Sequence, residues 1–306
     1  MLAVLAQMAL LVAAGVVWRA SRPGGMDMDS VRLALTSAVY YFFLPALVFE
    51  VLSTTHLSLD SLRLSFLAAS GVLAGLGLAW LACRACGMAP AVTGAVVLAS
   101  AFPNATYLGL PVLEAVLGPP GRSIAIQYDL FACLPLLLTV GVLSARHFGH
   151  GDERYHPLAA LIRVPALVAA VLAILANHFG WTLPDFAARA MHAAGAAVIP
   201  IMLVAVGMSL QPARLWRSNP GPVAMVALIQ LLLMPLLVYF LSGPVGMQGA
   251  LRTGVVLEAA MPSMLLGIVI CDRYRLDTAV YAAAVTLTTA LAFLTLPLWF
   301  DILSQS

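Results

Sequence analysis

The sequence TGAVVLASAFPN at residues 93–104 has a close counterpart, TGVVLEAAMPS, at residues 253–263. Both stretches begin with Thr-Gly, continue through small and branched residues, and reach a proline inside an apolar run, at Pro103 and Pro262. A proline inside a helix removes a backbone hydrogen bond and clashes with the preceding turn, at a cost of about 3 kcal/mol or more. Two prolines at matching places therefore predict two broken helices rather than two simple kinks.

The composition of the whole chain indicates a membrane protein. Of its 306 residues, 62% are hydrophobic and 9% are charged, and the mean hydropathy is +1.01. A soluble domain carries about 25% charged residues, so this chain lacks the polar surface that water requires. Its apolar runs are long and continuous, which favours helices over the alternating segments of a β-barrel. No basic stripe is present, and we expect no nucleic-acid partner.

A transmembrane helix needs about 20 residues, and ten apolar runs approach that length. The predicted fold class is an all-α integral membrane protein that spans the bilayer ten times. The predicted spans are residues 2–18, 33–53, 64–83, 91–117, 123–145, 158–179, 187–210, 221–243, 249–271 and 278–300.

The arginines give the orientation of these spans. Eleven of them follow odd-numbered spans and four follow even-numbered spans. Because cytoplasmic loops are rich in basic residues, the odd-numbered loops are predicted to be cytoplasmic and both termini extracytoplasmic. The eleven are Arg19, Arg22, Arg32, Arg84, Arg146, Arg154, Arg163, Arg214, Arg217, Arg273 and Arg275.

Other prolines extend the repeat to the whole chain. Pro45 corresponds to Pro200 and Pro135 to Pro297, so the three pairs are separated by 155, 159 and 162 residues. Five spans per repeat is an odd number, which places the second repeat upside down, as in many secondary transporters. We therefore predict a first five-helix repeat at residues 1–145, a cytoplasmic linker at 146–157 and a second, inverted repeat at 158–306.

The break at Pro103 predicts an anion site. A half-helix that starts there presents free N–H groups and the positive end of its dipole, both of which bind anions. Asn104 follows the proline, and its amide can cap the half-helix or donate to a carboxylate. Hydroxyl groups lie in the next turn, and Ser263 mirrors Asn104 in the second repeat. The predicted substrate-binding residues are Pro103, Asn104, Thr106, Tyr107, Pro262 and Ser263.

Acidic residues at membrane depth predict ion coupling. Glu258 lies one helical turn before Pro262, where carbonyls freed by the break can join it around a sodium ion. Alternatively it carries a proton, or serves only as a hydrogen-bonded structural carboxyl. The predicted coupling residues are Glu258, Met261 and Asp129. Glu50 and Glu114, near span ends, are interpreted as interfacial.

Signatures of other classes are missing from the sequence. It contains no nucleophile elbow, no His-Glu-x-x-His and no phosphate loop, so we expect no enzyme activity and no ATP drive. The histidines lack metal-ligand spacing, so no metal site is expected and no cofactor beyond a coupling sodium ion or proton. A cation/proton antiporter and a membrane sensor or receptor remain alternatives.

Several motifs resemble the auxin efflux carrier family. Residues 102–113, FPNATYLGLPVL, resemble the asparagine and Gly-x-Pro signature of that family's fourth span. Residues 259–262 and 271–274 resemble its ninth span, and residues 163–165 and 200–207 resemble its sixth and seventh. The long central loop of plant members is missing, which is typical of the short bacterial type.

This resemblance implies an architecture and a function. Spans 1, 2, 6 and 7 would form a scaffold, and spans 3–5 and 8–10 a transport domain in which spans 4 and 9 cross at their breaks. The implied activity is elevator-type transport of a small organic anion such as malonate, malate or an auxin-like acid, with Asn104 meeting the substrate carboxylate. We expect a bacterial inner-membrane location and a homodimer through the scaffold.

The fold is also similar to that of the bile-acid sodium symporters. Residues 258–263, EAAMPS, resemble their sodium-site stretch, in which a glutamate ligates sodium. This sequence has proline and serine where that family has polar amides, so sodium and proton both remain candidate coupling ions.

Overall fold

A computed structural model describes residues 2–55, 57–150, 156–215 and 218–305. Residues 151–155 of the predicted central linker, which include Arg154, and Arg217 lie outside the described residues. The helices are α1 (Leu2–Ser21), α2 (Met28–Thr54), α3 (Leu59–Ala85), α4 (Pro90–Ala101), α5 (Ala105–Leu117), α6 (Pro119–Phe148), α7 (Pro157–Ile162), α8 (Pro165–His178), α9 (Asp185–Ser209), α10 (Pro212–Leu215), α11 (Pro220–Ser242), α12 (Gly249–Ala259), α13 (Gly267–Arg273) and α14 (Thr278–Ser304).

The all-α fold class is confirmed. Within the described ranges, seven helices are long and apolar enough to cross a membrane, namely α1, α2, α3, α6, α9, α11 and α14. The other three predicted spans, at 91–117, 158–179 and 249–271, each contain two shorter helices separated by non-helical residues. The count of ten spans and their inverted arrangement therefore stay predictions.

Local capping explains where several helices begin. The Asp27 carboxylate accepts a hydrogen bond from the Ser30 N–H at 2.9 Å, so α2 starts five residues before the predicted span. Hydrogen bonds from Ser30 also lower the pKa of the Asp27 carboxyl. The helix α6 starts four residues before the predicted span at 123–145, because Pro119 occupies its first turn. Proline suits that position because its fixed φ is helical and no N–H is needed there.

One group of helices consists of α1, α2, α8 and α9. The α1 helix packs along the second half of α9, and α2 packs on both α8 and α9. A Cβ atom built on Gly207 would lie 3.1 Å from the Cα of Gly15, so small residues let these backbones approach closely. The Asn177 amide of α8 donates to the carbonyls of Leu52 and Thr55 at the end of α2, at 3.2 and 2.8 Å. These contacts hold α1, α2, α8 and α9 together as one packed group.

A second group surrounds the short helices α4 and α12. The α4 helix packs against α3, α6, α11 and α14, and α12 packs against α6, α11 and α14. A Cβ on Gly75 of α3 would lie 2.9 Å from the Ser100 carbonyl oxygen, which shows how closely α3 and α4 approach. The candidate site lies where this second group meets the first.

Candidate functional site

The first helix break separates α4 from α5. The chain leaves the helix at Phe102, whose backbone is extended (φ −110°, ψ 103°), and becomes helical again at Ala105. Pro103 has no N–H, so the Ala99 carbonyl loses its helical donor. The Ser263 hydroxyl donates to that carbonyl instead, at 2.7 Å. A side chain from the second break thus supplies the hydrogen bond that the Ala99 carbonyl lacks in the first.

The second break, between α12 and α13, lies directly against the first. The Asn104 N–H donates to the Pro262 carbonyl at 2.7 Å, and the Met264 N–H donates to the Phe102 carbonyl at 2.9 Å. These two bonds form a short antiparallel bridge centred on Pro103 and Ser263. The two interrupted helices therefore meet at their non-helical segments.

Three hydrogen-bond donors of the first break have no partner within the described part of the chain. They are the Asn104 side-chain amide and the backbone N–H groups of Thr106 and Tyr107, which lie in the first turn of α5. The Asn104 side chain is buried and does not cap the helix. Buried donors nearly always find an acceptor, so the buried Asn104 amide and the two N–H groups beside it, on half-buried residues, are positioned to bind a ligand.

A cavity lies beside these donors. Its volume is about 50 Å³, whereas one water needs roughly 10–15 Å³, so side chains must move apart to admit an organic acid. Its wall contains five polar residues and, among the described residues, no arginine; the five are Tyr40, Asn104, Thr106, Tyr107 and Asp129. The remaining lining residues are Leu44, Leu130, Leu134, Val164, Ala166, Met264, Leu265 and Leu266.

Asp129 connects α6 to this cavity. The Thr106 hydroxyl donates to its Oδ2, and its Oδ1 is buried without a hydrogen-bond partner in the described structure. The Asp129 carboxylate thus lies beside the free donors of the first break, and one of its oxygens forms no hydrogen bond in the described structure. A proton or a ligand can occupy that oxygen.

Glu258 of α12 lies in the interior, away from the cavity wall. Its side chain is fully buried, and neither carboxylate oxygen has a hydrogen-bond partner among the described residues. The carboxylate packs directly on Gly109, where a Cβ atom would overlap it. Gly109 N–H donates to the Asn104 carbonyl at 3.0 Å in a π-helical turn. The carboxyl group therefore contacts the same turn that carries the free donors.

The second break is held by residues that the sequence analysis did not identify. The Gln230 amide of α11 donates to the Met261 carbonyl at 2.9 Å and to the Ala259 carbonyl at 3.4 Å. The Thr288 hydroxyl accepts from the Ser263 N–H at 3.2 Å, and the Tyr281 hydroxyl donates to the Met264 carbonyl at 2.8 Å. A single amide inside the apolar α11 was the signal that could have identified Gln230.

The predicted site residues thus separate into two layers. Asn104, Thr106, Tyr107 and Asp129 line the cavity. The others form the bridge or lie behind it, buried and away from the cavity wall: Pro103, Glu258, Met261, Pro262 and Ser263. Among the described residues, no group of three or more His, Cys, Asp or Glu side chains is arranged to hold a metal ion.

Comparison with known proteins identifies the family. Residues 2–149 and 156–300 match the family described as "Membrane transport protein". An uncharacterized transporter of Methanothermobacter thermautotrophicus is 30% identical over 236 residues, which cover 76% of each chain. An uncharacterized transporter of Methanocaldococcus jannaschii is 27% identical over 210 residues, or 67% of each chain. The chain is therefore a multi-pass membrane protein of the membrane transport protein family, the auxin efflux carrier family that its motifs resemble.

Proposed function

We propose that this protein is a secondary active transporter of a small organic anion, a carboxylate such as malonate, malate or an auxin-like acid. The observation that carries the proposal is the set of unpartnered donors at Asn104, Thr106 and Tyr107, which lie beside a cavity in an apolar protein. A carboxylate supplies the acceptors that these donors lack. The helix dipole at the start of α5 favours the same negative charge.

Charge balance favours a proton as the coupling ion. No arginine lines the cavity in the described structure, whereas Asp129 does. Two like charges 4 Å apart repel by about 4 kcal/mol at an effective dielectric constant of 20. The anion therefore binds best when Asp129 carries a proton. One proton transported with a monoanion makes the net charge moved in each cycle zero, which avoids the roughly 2.3 kcal/mol that one net charge costs across 100 mV.

Glu258 supports a second candidate function. Two unpartnered carboxylate oxygens in a buried site suit a cation or a proton. A sodium-coupled symporter of the bile-acid type, or a cation/proton antiporter, would use this group. The Met261 carbonyl, predicted to join such a site, already accepts a hydrogen bond from Gln230, which leaves it one lone pair for an ion.

The proposed mechanism is elevator-type alternating access. The group α1, α2, α8 and α9 serves as the scaffold, and the group around α4 and α12 moves with the bound anion. Each of the two inverted five-span repeats contributes helices to both groups, and the scaffold also forms a homodimer. We place the protein in a bacterial inner membrane with both termini extracytoplasmic. The packing of the helices into two groups supports this division.

Uptake of radiolabelled carboxylates by proteoliposomes tests the proposal. Asn104→Ala removes a hydrogen bond to a charged group, worth about 1.5–3 kcal/mol, so we expect uptake to fall by about 10- to 100-fold. The control is Asn219→Ser, because Asn219 caps α11 through its side-chain oxygen and serine can cap equally well. Uptake by Asn104→Ala at the wild-type rate would contradict the proposal.

Ion gradients distinguish the two candidates in the same proteoliposomes. An inward proton gradient is expected to stimulate carboxylate uptake, and an inward sodium gradient at constant pH is not. Stimulation by sodium alone would favour the bile-acid type of symport. Ion-driven pH change without any organic anion would favour the antiporter.

A further inference from the structure

A cluster of four ionisable side chains lies at the ends of helices that carry the candidate site. Arg122, near the start of α6, donates to the Glu114 carboxylate of α5. Arg122 Nη1 also lies 3.8 Å from Glu50 Oε1 of α2. The same Glu50 oxygen lies 2.8 Å from His192 Nδ1 of α9. The cluster therefore connects the four helices α2, α5, α6 and α9.

Three of the four side chains in the cluster are only partly open to solvent, whereas that of His192 is 67% exposed. The side chains of Glu50, Glu114 and Arg122 are 21–25% exposed. Each of the three also has one buried polar atom without a partner in the described structure, Oε2 of both glutamates and Nε of the arginine. Partial burial weakens the screening that makes most surface ion pairs ineffective. This arrangement indicates a specific contact rather than a chance surface pair.

The contact between Glu50 and Arg122 crosses between the two helix groups. Among the ion pairs formed by described residues, it is the one that joins the α1, α2, α8, α9 group to the group around α4 and α12. The Arg122–Glu114 pair lies within the second group, and the Glu50–His192 pair within the first. A hydrogen bond of 3.2 Å between the hydroxyls of Thr55 and Ser123 crosses the same boundary nearby.

The cluster lies on one side of the cavity. Arg122 precedes Asp129 by seven residues on α6, which is about 10 Å of helix, and Glu50 follows Leu44 by six residues on α2, about 9 Å. Leu44 and Asp129 both line the cavity. Val164 lies just before α8, in the half of the predicted sixth span that is nearer the cytoplasm. It lines the cavity from that opposite side. The charged contact therefore lies on the predicted extracytoplasmic side of the cavity.

We propose that Glu50 and Arg122 form a latch that holds the transporter closed on its extracytoplasmic side and that opens once in each transport cycle. This inference rests on the proposed function, because it requires the two helix groups to move against each other. Glu114 keeps Arg122 in place on the moving group, and His192 keeps Glu50 in place on the scaffold. The 3.8 Å contact between them is the one that breaks.

Crosslinking across the boundary tests the latch without any substrate. Cysteines at positions 55 and 123 (Thr55→Cys with Ser123→Cys) replace two hydroxyls that are 3.2 Å apart, and Cys86→Ser removes the exposed native thiol. We measure the rate of disulfide formation with copper phenanthroline. Adding Glu50→Gln is expected to slow this rate about two- to fivefold, the effect of a partly exposed ion pair.

Two controls use charges that do not cross the boundary. Asp29→Asn breaks the Arg19–Asp29 pair within the first group, and Asp60→Asn breaks the Asp60–Arg63 pair within α3. Neither is expected to slow crosslinking. Size-exclusion chromatography of each variant identifies misfolding. A wild-type crosslinking rate in folded Glu50→Gln would overturn the latch.

Uptake by the crosslinked protein gives a second readout. Oxidised double-cysteine protein is expected to lose carboxylate uptake and to regain it on reduction. Full uptake by the oxidised protein would also overturn the latch. Because crosslinking needs no substrate, the two proposals fail separately: absence of uptake by the wild type contradicts the proposed function, whereas an unchanged crosslinking rate contradicts the latch.

Discussion

The two helix breaks share a sequence pattern but differ in how their polar groups are used. At the first break, the Asn104 amide and the N–H groups of Thr106 and Tyr107 have no partner in the described structure and lie beside a cavity. At the second break, Gln230, Thr288 and Tyr281 form hydrogen bonds with the backbone of residues 261–264. Met261, Pro262 and Ser263 there are fully buried.

A sequence motif that occurs in both repeats therefore need not have the same function in each. Each proline frees backbone groups, and unpaired buried groups cost about 1–3 kcal/mol each. At the second break, side chains of neighbouring helices form hydrogen bonds with these backbone groups. The first break leaves its donors for a ligand. We therefore assign binding to the first break and support to the second.

Asp129→Asn tests whether Asp129 couples proton movement to substrate binding at the first break. It is the substitution with the largest expected effect on accumulation. A gradient of one pH unit is worth about 1.4 kcal/mol, or about tenfold in accumulation with one coupled proton. We expect the wild type to approach this value and Asp129→Asn to equilibrate its substrate without accumulation. The accumulation ratio is measured as substrate uptake by proteoliposomes under an inward proton gradient.

The matched control is Asp301→Asn, at the exposed end of α14. It is expected to accumulate substrate as the wild type does. Gradient-driven accumulation by Asp129→Asn would show that Asp129 does not carry the proton, and would leave Glu258 as the candidate.

Gln230→Leu tests the second break through stability. The substitution leaves the Met261 and Ala259 carbonyls without their amide donor, which is expected to cost about 1–3 kcal/mol. We expect a lower melting temperature in detergent but ligand affinity within about twofold of the wild type. Gln305→Leu, at the exposed C-terminus, serves as the control. A large loss of affinity without a loss of stability would place a binding role at the second break.

The sequence predicted the parts of this account that depend on local chemistry. Long apolar runs predict membrane helices because the bilayer requires them. Pro103 and Pro262 predict helix breaks because proline cannot donate a hydrogen bond. Asn104 and Asp129 stand out because polar residues are rare at membrane depth. Each inference needs only neighbours along the chain.

The remaining features depend on contacts between distant segments. The Glu50–Arg122 contact joins residues 72 positions apart. The sequence indicated only that Glu50 and Glu114 lie near the ends of predicted spans. The hydrogen bonds of Gln230 and Thr288 depend on how α11 and α14 pack against the second break. The repeat suggested that Ser263 binds substrate as Asn104 does. Its hydroxyl instead donates to the Ala99 carbonyl, and a direct substrate contact stays a prediction.

Ligand-induced thermal stabilisation of two variants tests the central claim most directly. Purified wild type, Asn104→Ala and Ser263→Ala are melted with dicarboxylates, monocarboxylates and aromatic acids, with and without sodium. A ligand at 100 times its Kd stabilises a protein by about 2.7 kcal/mol. We predict that Asn104→Ala keeps its basal melting temperature and loses this stabilisation, whereas Ser263→Ala melts lower and keeps it. The opposite pattern would contradict the assignment of binding to the first break.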